Sequence, residues 1–138
     1  MIIAIRIVGQ VGIRYDIKRT LDSLRLRKKF SCVILHEKPE ILGMIKHVRQ
    51  FISYGKINEG TLKLLVEKRA RKPGNKPVSN SEVDKIISEI KEDKIKTIKP
   101  FFALHPPIKG FKKSTKLMYP RGILGENKDI EKLLMRMT

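Results

Sequence analysis

Between Leu104 and Gly122 (LHPPIKGFKKSTKLMYPRG) the chain carries Lys109, Lys112, Lys113, Lys116 and Arg121 and no carboxylate. Two further cationic clusters accompany this stretch. RLRKKF holds Arg25, Arg27, Lys28 and Lys29, and EKRARKPGNKP holds Lys68, Arg69, Arg71, Lys72 and Lys76 around Pro73, Gly74 and Pro77. Guanidinium and ammonium groups at this density suit one task above others, which is to displace counterions from a phosphate backbone. Arg14 and Lys18 join them, because they flank a loop-to-helix junction and a helix N-terminus also favours phosphate. The candidate nucleic-acid contacts are therefore Arg14, Lys18, Arg25, Arg27, Lys28, Lys29, Arg69, Arg71, Lys72, Lys76, Lys109, Lys112, Lys113, Lys116 and Arg121. Phe111 and Tyr119 lie in the third cluster, where a ring either stacks on an unpaired base or pins the loop to the domain; pinning is the expected role.

Other chemistries lack their constellations. His36, His47 and His105 are dispersed, with no cysteine or carboxylate at metal-ligand spacing, so no metal is expected and His47 should be a surface or boundary residue. GQVG after the first apolar run lacks the third glycine of a dinucleotide fingerprint, and no phosphate loop, nucleophile elbow or zinc finger is present. Cys32 has no partner base and reads as a small buried hydrophobe. No catalytic residue and no cofactor is expected.

The elements that must hold these cations follow from the apolar pattern. The chain has 138 residues, 41% of them hydrophobic, which is enough to build a core and too many for a disordered polycation. With 31 Lys and Arg against 14 Asp and Glu, the net charge is +17, and a compact state this basic gains from a polyanion. One cysteine excludes an intramolecular disulfide, MIIAIRIVGQ is too short and alternating for a signal peptide, and no apolar run approaches membrane-spanning length. The cytoplasm is the simplest compartment, with no membrane partner.

Ile2 to Val8 predicts a strand, and Asp16 is placed to cap a helix through about Leu26. Phe30 to Leu35 predicts a second strand. Pro39 fits the first turn of a helix carrying Ile41, Ile45, Val48 and Ile52 on one face, and Ile52 to Ile57 is a weak third strand. The first 57 residues thus form a β-α-β-α-β core, with a small sheet and its helices on one face. Residues 58–138 form an extension packed on that core. Asn58 should cap a third helix, and Ser79 with Glu82 has the spacing of a capping box for a fourth, whose Asp84, Glu89, Glu92 and Asp93 turn it toward solvent or protein. KPFFAL predicts a strand, the basic stretch a flexible loop that orders on a ligand, and Asn127 the cap of a last helix. The class is α/β, in the mixed α+β sense.

No helix-turn-helix and no RNP-type aromatic strand is present, so basic loops on a compact core suit folded RNA recognised by shape and backbone. TLDSLRLRKKFSCV followed by PEILGMIKHVRQFI resembles the core signature of the large-ribosomal-subunit protein family numbered thirty in bacteria and archaea and seven in eukaryotes. The features are Leu21, Leu24 and Leu26 before Lys28, then Ser31 and Val33, then Gly43, Met44, Ile45, Val48, Phe51 and Ile52. The second half, with FALHPP, the basic glycine-containing loop and LG before a final helix, is similar to the longer branch, and the missing basic N-terminal extension favours its archaeal form. The resemblance implies a non-enzymatic, structural role in the cytoplasmic ribosome, with large-subunit rRNA, 5S rRNA nearby and neighbouring ribosomal proteins as partners. Gly43 is expected to allow close helix–sheet approach. The rival reading is a free-standing RNA chaperone or regulator using the same charges.

Overall fold

The computed structural model describes residues 1–138. Strand β1 (Ile2–Arg6) is the centre of the molecule, with all five residues buried. It has β-branched residues at both strand parities, as a strand covered on two faces requires. Helix α1 (Tyr15–Ser23) leads to β2 (Ser31–Leu35), and α2 (Pro39–His47), opened by its N-terminal proline, leads to β3 (Ile52–Lys56). Both outer strands pair antiparallel with β1, which sets Ile3 opposite Ile34 and Gly55, and Ile5 opposite Cys32 and Ser53.

The extension adds α3 (Glu59–Arg69), a single 3-10 turn over Asn80–Glu82, α4 (Val83–Lys91), β4 (Phe102–Ala103), β5 (Ser114–Met118), β6 (Gly122–Glu126) and α5 (Ile130–Met137). Its strands join the same sheet, in the order β4-β2-β1-β3-β6-β5. Residues before and after position 57 therefore share one set of backbone hydrogen bonds.

The sheet separates two cores. Ile2, Ala4, Val33 and Ile52 pack with Leu21 and Leu24 of the α1 region and Ile45 and Val48 of the α2 region. Ile3, Ile5, Ile7, Cys32 and Ile34 point the other way, onto Leu62 and Leu65 of α3, Ile86 and Ile90 of α4, and Leu133 and Leu134 of α5. The helices of the first half thus lie on one face, and those of the extension cover the other. No helix is long and apolar enough to cross a membrane.

Cys32 is fully buried, and burial pushes its thiol far above the ordinary range. A thiol-selective reagent such as DTNB should leave it untouched in the native protein and titrate one thiol on unfolding; fast native labelling would contradict this core.

Several local expectations change. Helix α1 starts one residue before Asp16, with Arg14 at the cap position; Asp16 lies in the first turn, 3.4 Å from Arg14. A carboxylate there gains from the helix dipole without capping. Asn58 stands at the cap position of α3 but caps nothing: its backbone N–H and side-chain amide donate to Glu131 at 2.6 and 3.2 Å, tying α3 to α5. Asn127 is buried, not a cap. Its amide donates to Ser53 Oγ, its Oδ1 accepts the Asp129 N–H at 2.9 Å, and α5 begins after Asp129. The Ser79–Glu82 capping box is present. Gly43 is exposed, and an added Cβ would meet nothing within 4 Å. The close approach occurs at Gly55, where a Cβ would sit 2.5 Å from the Asn127 carbonyl and 2.9 Å from Ile130 Cγ2.

Candidate nucleic-acid interface

Arg6 organises the first basic cluster from below. Although only 1% exposed, its guanidinium meets no carboxylate. It donates instead to four carbonyls: Val8 at 3.0 Å, Gly9 at 3.0 Å, Leu26 at 2.7 Å and Arg27 at 2.9 Å. Burial draws its pKa down, and Asp22 acting from a distance opposes the shift. One buried cation therefore clamps the exit of β1 to the loop between α1 and β2. The Gln10 amide adds a further bond to the Arg27 carbonyl.

The loop's own backbone completes the frame. Leu26 N–H donates to Leu21 at 2.9 Å, Phe30 N–H to Arg6 at 2.8 Å and Ser31 N–H to Lys28 at 3.1 Å. Arg25 and Phe30 bracket the turn with left-handed φ values of 61° and 62°. Arg25, Arg27, Lys28 and Lys29 are all exposed on this fixed support.

The second cluster forms a tight turn next to the first. Lys72 N–H donates to Lys76 and Asn75 N–H to Lys72, with Gly74 and Asn75 at positive φ. Lys99 fastens this turn to the β4 segment, its N–H donating to Arg71 at 2.9 Å and its ammonium to Asn75 Oδ1 at 3.3 Å. Short β4 then pairs with β2, and Leu104 N–H donates to Phe30.

The result is an open groove of about 600 Å³ between the 25–31 loop and the 99–104 segment. Arg25, Arg27, Lys28, Lys29 and Lys99 line it, along with Asn75, and no carboxylate does.

The remaining candidates divide by their partners. Arg14, Lys18 and Lys76 are exposed, Lys18 in a shallow hollow with Tyr15 and Arg19. Arg71 is half-buried. Two members of the second cluster are committed inside the protein. Arg69 donates to the Thr138 carbonyl at 2.7 Å, and Lys72 bonds Glu82 at 2.8 Å and holds that carboxyl below its ordinary range.

Lys109, Lys112, Lys116 and Arg121 are exposed, whereas Lys113 lies 3.7 Å from Asp129 and 4.6 Å over the Tyr119 ring. Asp129 also accepts the Tyr119 hydroxyl at 3.3 Å and the Lys132 ammonium at 3.2 Å. Phe111 packs on Phe30 with centroids 6.2 Å apart. Both rings pin the basic stretch to the domain.

That stretch is not the free loop its composition predicts. It contains β5, Ile108 N–H donates to Arg136 at 2.9 Å, and Arg136 returns bonds to the Ile108 and Gly110 carbonyls. It begins beside β2 at Leu104 and ends at β5, so its cations run from one edge of the sheet to the other. The groove takes its cations from the first cluster and Lys99, with Asn75 of the second cluster's turn beside them; Lys116 and Arg121 lie at the opposite edge.

The profile of the family described as ribosomal protein L30p/L7e matches residues 2–52, the segment from β1 to the first residue of β3. Similarity then continues past that segment. The large ribosomal subunit protein uL30 of Nitrosopumilus maritimus is 36% identical over 99% of this chain and 97% of its own. The chain belongs to the L30p/L7e family. Its Staphylothermus marinus relative is 40% identical over 96% of this chain and 95% of its own, and that of Methanococcus maripaludis 41% over 78% and 77%. This L30p/L7e member is accordingly of archaeal type, a ribosomal protein of the cytoplasm and not an enzyme.

Sequence pattern left out Arg6, Lys99, Asn75 and Phe101 as parts of the site. Arg6 carried a legible signal, a cation inside an otherwise apolar central strand. For Phe101 the signal was the Phe101–Phe102 pair, since strand alternation sends one ring inward and the other out.

Proposed function

We propose that the chain is a structural constituent of the large ribosomal subunit that holds folded large-subunit rRNA, near the 5S rRNA, through the exposed cations of its three basic clusters. One observation carries this reading: the first cluster and Lys99, distant in sequence, meet at a groove lined by five cations and no acid. Binding works chiefly by counterion release, with rigid loops losing little entropy on docking. Arg69 and Lys72 act inside the protein, leaving Arg14, Lys18, Arg25, Arg27, Lys28, Lys29, Arg71, Lys76, Lys109, Lys112, Lys113, Lys116 and Arg121 as the contacts.

Sucrose gradients at moderate and high salt test the role: the protein should sediment with the large subunit at both, whereas a free-standing regulator would run at the top. Salt titration tests the charges. Replacing Lys112, Lys113 and Lys116 together by Gln should reduce the slope of log affinity against log salt by about 2, given about 0.7–0.9 per phosphate contact and the share of Lys113 already taken by Asp129. An unchanged slope removes this segment from the interface.

A further inference from the structure

The groove beside the first cluster holds more than charge. Phe101 is 40% exposed at its edge while its neighbour Phe102 is 2% exposed in the core. The other rings nearby are occupied: Phe30 meets the Lys29 ammonium at 5.0 Å and also the Phe111 ring, and Tyr119 lies under Lys113. Phe101 alone among them has neither an aromatic nor a cationic partner. Pro100 and Leu104 extend its apolar surface within a cavity of about 600 Å³, inside the range of ~300–1,000 Å³ usual for small-ligand sites.

A paired helix offers phosphates to such a site but cannot bring a base face to a ring, because its bases are stacked inside. An unpaired nucleotide offers both, and the two together match the lining. We propose that this groove takes one extruded nucleotide of the bound RNA, its base against Phe101 and Pro100 and its flanking phosphates on Arg27, Lys28, Lys29 and Lys99. The proposal rests on the rRNA reading above and sharpens it: at this edge the protein recognises an unpaired position, not merely a helical backbone. Asn75 accepts a hydrogen bond from the Lys99 ammonium and ties it to the second cluster's turn, and both residues line the groove with Phe101.

The test uses the full chain, isotopically labelled, titrated by NMR with the RNA trinucleotide AAA and with the same trinucleotide lacking its middle base. AAA should move the Phe101 ring resonances together with the amides of Arg27 to Lys29 and Lys99. Removing the middle base should weaken binding about tenfold, within the range expected for one stacked base. Phe101→Leu should weaken AAA by a similar factor and leave the abasic trinucleotide unaffected; its native spectrum elsewhere would verify the fold. Equal affinity for the two trinucleotides, or shifts that spare the Phe101 ring, would overturn the proposal. If intact rRNA is still bound with an unaltered salt slope in that case, only the base pocket fails; loss of salt-sensitive rRNA binding defeats both readings.

Discussion

Arg6→Met should fold into a protein about 3 kcal/mol less stable than the native chain, although Arg6 has no carboxylate partner to lose. The estimate follows from its acceptors. Four backbone carbonyls, those of Val8, Gly9, Leu26 and Arg27, receive its hydrogen bonds, and a thioether replaces none of them. Leaving a buried acceptor unmade costs about 1–3 kcal/mol, and the more open carbonyls near Gly9 recover water. Methionine keeps much of the volume, so the loss is one of bonds and not of packing. Arg6→Lys should recover less than half, because an ammonium cannot present donors in the planar fork that reaches two loops. Denaturant unfolding supplies the stability. Amide exchange should show the 24–30 loop loosening before the rest, and rRNA affinity should fall although Arg6 itself is buried away from RNA. Native-like stability in Arg6→Met would mean that the four bonds carry no weight.

Gly55→Ala should be nearly as costly, about 3 kcal/mol, for a steric reason. The new Cβ would lie 2.5 Å from the Asn127 carbonyl and 2.9 Å from Ile130 Cγ2, so the chain at the start of α5 would have to retreat from β3. Asn127 would then release Ser53 and Asn58 would release Glu131, both of which fasten this corner. For a chain of this size the midpoint of thermal unfolding should drop by roughly 10 °C. Gly43→Ala is the matched control. Gly43 lies in α2 with open space around it, and alanine there should be neutral or raise stability by ~0.5–1 kcal/mol. If the two substitutions behave alike, the docking of α5 on β3 is not as described.

The contrast between these glycines marks what sequence could reveal. Gly43 stands within a recognisable family signature, and its position invited a packing role that its surroundings do not support. Gly55 stands in a weak strand, and the element that crowds it comes from more than seventy residues later in the chain. Long-range approach of this kind leaves no local periodicity. The first three strands and α1 to α4 were legible because apolar residues recur at two or at three and four along them.

β5 and β6 were not. The side chains of β5 are exposed at four of five positions, so no alternation betrays the strand, and β6 contains Gly122 and Gly125, which read as turn. The cations of the site were legible by charge alone. Which of them are free was not, since Lys72 and Arg69 find partners only once Glu82 and Thr138 are folded beside them. The groove required a meeting of the 25–31 and 99–104 segments that only the pairing of β4 with β2 creates.

The two-sided burial of β1 has a consequence for the birth of the chain. When β3 leaves the ribosome that makes it, α1 and α2 can already close over Ile2 and Ala4, but Ile3, Ile5 and Ile7 still face water. Their cover includes Leu134 of α5, the last of these elements in chain order. At about 5–20 residues per second, the 81 residues from 58 to 138 take roughly 4–16 s to appear. Until that interval ends the nascent protein displays an incompletely covered isoleucine stripe while its polycationic segments emerge among ribosomal and messenger RNA. A holding factor that shields apolar surface would be of most use to it in that window, and of none once α5 has docked.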